Sequence, residues 1–329
     1  MVQKVLLSTE NKNELMKLRK QFDIACFQKK IFDAARYLKA IQDLLRPLGH
    51  NVLLSQSKCQ YCELLINESL EVKAMPLLIG MRKMLNSNTR IYLEATTLLA
   101  ICYLRLDKLK IAEPLISEVL QNDAVIRVDF QRRNFQKVVM TRFNEESVLA
   151  TLRRSADVTE YLDPKKIQDE AGNYVYLYSD DDLYEKIGEC TPQPVKDILL
   201  KVEFFSQKQL PAKDIKCLPS PERFKQNRET GKVVGAAIKK TIHRTLCDPE
   251  NETHKIFVVN GLNGILKCSL LGSAVVTCLT SLKIGITALA IPTTAFVIKI
   301  GLDTFCELYP IDSIMEKRKE RAPSRKKHE

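Results

Sequence analysis

The sequence predicts an all-α protein: an N-terminal solenoid or bundle of helical-hairpin repeats, then a C-terminal apolar helical hairpin. Three observations carry that class. Only 11 Gly and 13 Pro occur in 329 residues, too few for a turn-rich β fold. A block of about 38 residues recurs within the first 125. A long apolar stretch follows a Pro-containing basic region. At roughly 150 residues per domain, the length suits two units or an array with an appendage.

The repeat comes first. Lys73-Ala74-Met75-Pro76-Leu77-Leu78 returns 38 residues later as Ile111-Ala112-Glu113-Pro114-Leu115-Ile116. Phe32-Asp33-Ala34-Ala35-Arg36-Tyr37-Leu38 lies 39 residues earlier when Ala35 is set on Ala74. In the third unit Leu99, Ala100 and Tyr103 share one helical face, and Ala112 and Ile116 share a face of the next helix. Two antiparallel helices can then close around a small residue. These spacings resemble the tetratricopeptide repeat over about residues 15–125. Thr96 and Ala124 stand where that family carries its early Trp and closing Pro, and the units exceed its usual length of about 34 residues. The resemblance implies a helical solenoid whose concave face binds a peptide or protein, with no catalytic residues. A plain helical bundle with Ala at its crowded contacts is the alternative. The module extends over 1–155, where Val128, Phe135, Val138, Val139, Phe143, Val148 and Leu152 continue an amphipathic helix.

Residues 156–210 form an acidic, Tyr-rich region and a helix that continues the module. Between Asp157 and Glu189, ten acidic residues face three lysines, a net of −7. Gly172-Asn173 is a turn signal, and Tyr174, Tyr176 and Tyr178 alternate, which predicts a short β-hairpin near 172–178. A basic linker at 211–255 follows, marked by Pro211, Pro219 and Pro221. Over 223–244 the basic residues Arg223, Lys225, Arg228, Lys232, Lys239, Lys240 and Arg244 oppose Glu229 alone, a net of +6. Beside an apolar segment such a cluster reads as facing anionic lipid. With Phe224 as its single aromatic it suits nucleic acid less well.

Residues 256–309 are expected to insert in a membrane as a helical hairpin. One straight helix over 268–298 would be about 46 Å long against a hydrocarbon core of about 30 Å, so the chain should fold back near Lys283. Lys267 and Lys299 each lie 16 residues from Lys283 and would mark one boundary. Ser269, Ser273, Thr277 and Ser281 recur at i, i+4 as a small-residue stripe for close helix packing. The alternatives are a buried helical pair inside a soluble domain and an amphipathic lie in the membrane plane. Residues 310–329 read as a basic disordered tail, with seven basic and three acidic side chains in 316–329.

No chemistry-bearing motif emerges. Gly231-Lys232 lacks the phosphate-loop context, and HExxH, GxSxG, GxGxxG and EF-hand patterns are absent from the chain. His50, His243, His254 and His328 are scattered. Cys59 and Cys62 form a lone CxxC without the further ligands of a zinc site. The ten cysteines follow no disulfide framework and are expected to remain thiols in a reducing compartment, with no secretory leader seen. The expectation is a non-enzyme without cofactor or metal. It would be a membrane-anchored, largely cytoplasmic interaction scaffold with a protein or peptide partner on the repeats and anionic lipid at the anchor. A membrane-disrupting effector with a helical sensing module and a soluble basic nucleic-acid-binding protein are the alternatives.

Overall fold

The structure is a computed structural model that describes residues 5–155, 162–207, 226–248, 254–255, 266–281, 284–301, 305–306 and 315. Among these residues the protein is all-α, with thirteen α-helices and one 3-10 turn. Six helices form three hairpins: α1 (Thr9–Phe27) with α2 (Ile31–Leu45), α3 (Asn51–Asn67) with α4 (Glu71–Met84), and α5 (Arg90–Arg105) with α6 (Leu109–Gln121). Then come α7 (Asp129–Ser155), α8 (Pro164–Leu177), α9 (Asp180–Glu189), α10 (Gln193–Gln207), α11 (Asn227–Leu246), α12 (Leu266–Ser281) and α13 (Thr287–Ile300). The chain divides into two compact units, Met1–Val139 with Ser313–Glu329, and Met140–Asp312.

The three hairpins of the first unit turn in the same way. Lys29, Ser69 and Asp107 are left-handed, at φ 55°, 58° and 57°. The next residue in each case bonds back across six residues: Lys30 N–H to the Ala25 carbonyl at 2.9 Å, Leu70 to Leu65 at 2.8 Å, Lys108 to Tyr103 at 2.8 Å. This is the closure that ends a helix by capping its last carbonyls. Five residues after each turn lies an alanine with no exposed surface: Ala34, Ala74 and Ala112. The repeat is therefore 40 and then 38 residues, and its first unit is registered on Ala34. Ala35 is half-buried. Adjacent alanines are ambiguous by letter, but Ala34, Leu38, Ile41 and Leu45 make one buried stripe at spacings 4, 3 and 4, whereas Ala35 lies off it.

Each second helix packs on its own first helix, α2 and α4 also pack on the next helix in sequence, and α1 meets α3 as α3 meets α5. That neighbour pattern is compatible with stacked hairpins. Leu99, Ala100 and Ile116 are buried as the repeat requires, and Tyr103 is half-buried. A left-handed non-glycine residue costs about 1–2 kcal/mol. Ser69→Gly should therefore raise the stability of this unit by up to about 1 kcal/mol, after allowance for glycine's larger chain entropy. Ser69→Val should lower it, and urea unfolding of the two variants against wild type is the check.

The second unit is built around α13. Every residue from Leu289 to Val297 is buried, so this helix has no solvent face over nine positions. It packs on α8, α9, α11 and α12, and α12 in turn packs on α8 and α11. The expected helical hairpin exists, but α8, α9 and α11 cover it. No helix among the described residues is long and apolar enough to cross a membrane. At 1.5 Å per residue the two helices span only about 24 and 21 Å.

Two further expectations are corrected here. Residues 172–177 continue α8 rather than forming a β-hairpin. Asp163 caps that helix, accepting from the Lys165 and Lys166 N–H groups, and Pro164 opens it. Ile167, Ala171, Tyr174 and Tyr178 then follow a 4, 3, 4 spacing, and the two tyrosine rings meet edge-on at 4.8 Å. The tyrosine alternation was incidental to this stronger helical period. The cysteines are not all thiols: Cys247, just after α11, is bonded to Cys306, beyond α13. The linker reading of 211–255 fails over 227–246, which is α11, while 211–225 lies outside the described residues.

Candidate functional site

The first unit presents the more promising surface. On α3, Cys62 turns toward α4, its thiol donating to the Ala74 carbonyl at 3.8 Å. Leu54 and Leu64 join the core made with α1 and α2. Gln56, Gln60, Glu63 and Asn67, at spacings 4, 3 and 4, define a third face of that helix. Three of them are half-buried and Glu63 is buried at 7% exposure. Gln60 Nε2 donates to Asp23 of α1 at 3.0 Å, which extends the polar strip across two hairpins. Asp23 precedes Glu63 by 40 residues, the repeat spacing itself, so the array places a carboxylate at this position twice. Glu63 also accepts the backbone N–H of Met315 at 3.0 Å.

Ionic contacts tie the second and third hairpins together. Arg82 of α4 donates to Glu118 of α6 at 2.6 Å and to the Tyr92 hydroxyl of α5 at 2.9 Å, and that hydroxyl donates to Glu118 at 2.6 Å. Burial, with the Glu118 hydrogen bond, raises the Tyr92 pKa. Arg105 of α5 reaches back to the Ile66 carbonyl and to Glu71. Cys59 and Cys62 have no exposed surface, and burial pushes the Cys62 thiol well above its ordinary range. The CxxC therefore packs α3 and presents no reactive thiolate.

Among the described residues, the basic cluster has partners within the fold. Arg228 meets Asp181 at 3.5 Å and Glu185 at 3.8 Å on α9, and Lys232 pairs with Glu229 at 2.9 Å. Lys240 pairs with the buried Glu145 at 2.6 Å. Lys239 is 2% exposed. Arg223 and Lys225 lie outside the described residues, as does the side chain of Arg244. The reason is the acidic helix α9, whose carboxylates lie against α11. Ser179 caps α9, and its hydroxyl and N–H both bond Asp182, which holds that carboxyl below the usual range. Three aspartates in a first turn complement the helix dipole, so the acidic run begins a helix.

Lys239 is the feature that sequence reasoning missed. Gly231, Gly235 and Lys239 recur every four residues on α11, and a Cβ at Gly231 would sit 1.7 Å from the Tyr184 carbonyl oxygen. That stripe brings α9 so close that Lys239 is enclosed. Its ammonium donates to the Tyr184 hydroxyl at 2.9 Å and lies 3.7 Å from the Phe296 ring centroid and 4.8 Å from that of Tyr184. Two glycines four apart were the available signal.

Burial pulls the Lys239 pKa down to about 8, the charge of Asp180 opposing that shift. Unfolding returns the group to its ordinary 10.5, so the unfolded chain binds more protons between those values. Stability should therefore rise with pH from about 8 toward 10.5, by on the order of 3 kcal/mol. Lys239→Met should be the more stable protein at pH 7 and should lose that slope. Denaturant unfolding of both proteins at pH 7 and pH 10 checks it.

The small-residue stripe of α12 points elsewhere than proposed for membrane packing. Thr277 is exposed and Ser273 half-buried, while Ala274, Val275, Cys278 and Leu279 make the buried face. Apolar contact area outweighs small size when the neighbours are amphipathic helices rather than lipid. The side chains of Ser269, Ser281 and Lys267 lie outside the described residues, as does all of Lys283. Lys299, expected at a membrane boundary, donates to the Tyr178 carbonyl at 2.7 Å and to Asp180 at 3.2 Å. Compared with known proteins, the chain matches no protein-family profile, no curated protein and no solved structure.

Proposed function

We propose that this chain is a helical-repeat interaction protein that holds a segment of a protein partner on the polar face of its first unit. The observation that carries the reading is the recurrence of one turn and one buried alanine through three hairpins, at 40 and 38 residues. A repeat array buries its apolar faces between neighbours and leaves a continuous outer strip for binding. Asp23, Gln56, Gln60, Glu63 and Asn67 supply carboxylate and amide groups there that suit the backbone and cationic side chains of an extended peptide. The test is binding of the full chain to a panel of 15-residue peptides of graded net charge. Cationic peptides should bind, and Gln60→Arg should abolish that binding without altering the melting temperature. Binding indifferent to Gln60→Arg would overturn the assignment.

One observation favours a second reading, a membrane-disrupting effector. The apolar hairpin α12–α13 is sheathed by amphipathic helices, and the Cys247–Cys306 bridge closes a loop of 59 residues around it. By loop entropy such a bridge is worth about 4 kcal/mol. A bilayer could receive the hairpin only after this unit opens, so leakage of anionic vesicles should require reductant. Leakage that is absent under both conditions counts against this second reading.

A further inference from the structure

The polar face of the first unit is already in use by the chain itself. Met315 belongs to the same compact unit as the hairpins, although it is 252 residues from Glu63 in sequence. Its backbone N–H donates to Glu63 Oε2 at 3.0 Å, and its side chain is 6% exposed. A carboxylate that is itself buried is expensive to leave without donors, and here a donor comes from a peptide backbone. A main-chain N–H on the carboxylate and an enclosed apolar side chain are two of the contacts by which a bound peptide segment is read. The residues that follow in sequence, 316–329, carry seven basic and three acidic side chains, and the strip holds the carboxylates Asp23 and Glu63.

We infer that the segment around Met315 is a tethered ligand of the α1–α3 face, and that the partner which displaces it is a protein segment of the same chemistry. That chemistry is an apolar anchor residue whose N–H meets Glu63, followed by Lys and Arg. Tethering gives the resident segment an effective concentration of up to millimolar order. A partner must exceed that competition or arrive with several such segments. The inference rests on the peptide-binding reading of this face and adds to it the identity of the occupant.

Two measurements on the full chain test it. In hydrogen exchange, the Met315 amide should be protected at least 10-fold over the unstructured-peptide rate, and Glu63→Ala, which removes the acceptor, should remove most of that protection. A wild-type Met315 amide exchanging at the peptide rate would overturn the inference. In the second measurement, a fluorescent peptide of residues 309–329 is titrated into wild type and into full-length Met315→Asp, with Met315→Ser serving the same comparison if Asp disturbs folding. The variant should bind the peptide at least 10-fold more tightly than wild type, since its own segment no longer competes. Equal affinity overturns the tether. If that shared affinity is still lost on Gln60→Arg, the face remains a peptide site and only its resident occupant is wrong.

Discussion

Ala112→Arg is expected to unfold the first unit. Ala112 has no exposed surface and lies five residues past the left-handed Asp107, where α6 crosses α5. A guanidinium there must displace close-packed neighbours or remain buried without a partner, and each penalty is several kcal/mol. Against a typical domain stability of about 5–15 kcal/mol, their sum removes most or all of the fold. Ala74→Arg should act alike, because it occupies the same place one repeat earlier. The adjacent alanines of the first hairpin supply an internal control. Ala34→Arg should be as damaging as Ala112→Arg, whereas Ala35→Arg, at a half-buried position, should cost no more than about 1 kcal/mol. Circular dichroism melts of the four variants decide it, and equal melting of the Ala34 and Ala35 variants would break the register.

Gly231→Ala should be strongly destabilising to the second unit. Helix propensity alone favours the substitution by about 1 kcal/mol. Contact decides the opposite: the new Cβ would lie 1.7 Å from the Tyr184 carbonyl oxygen and 2.9 Å from the Gly188 nitrogen, both backbone atoms. Neither can rotate away, so α9 and α11 must separate along a seam that encloses Lys239. Overpacking of this kind costs roughly 3 kcal/mol or more. Gly80→Ala is the control, since a Cβ in that helix interior meets nothing within 4 Å. It should gain up to about 1 kcal/mol from propensity. Urea midpoints that rise for both variants would show that the α9–α11 contact is looser than described.

The helical repeat was legible because its signal is local. A small residue at fixed distance from a turn recurs as letters, so Ala74 and Ala112 were found correctly, and the first unit was missed by a single residue only because two alanines adjoin. The left-handed turns at Lys29, Ser69 and Asp107 were invisible, because none of the three is the glycine that usually announces such a conformation. The polar strip was hidden as well. Gln56, Gln60, Glu63 and Asn67 look like an ordinary solvated face until Met315, far away in sequence, is found on Glu63.

Composition and periodicity by themselves determined an all-α chain, a recurring hairpin near its start and a fold-back in its apolar stretch. These follow from hydrogen bonds and contacts only a few residues apart. Tertiary structure alone decided what the apolar stretch packs against. The same run of Leu, Ile, Val and Ala satisfies a bilayer or a sheath of amphipathic helices, since burial rewards apolar area whatever supplies it. The choice rested on α8, α9 and α11, whose acidic and basic runs appeared separate in sequence. Glycines at 188 and 231 let α9 and α11 touch backbone to backbone, so Arg228 of the basic run meets Asp181 and Glu185 of the acidic one, and Lys239 is enclosed among aromatic rings.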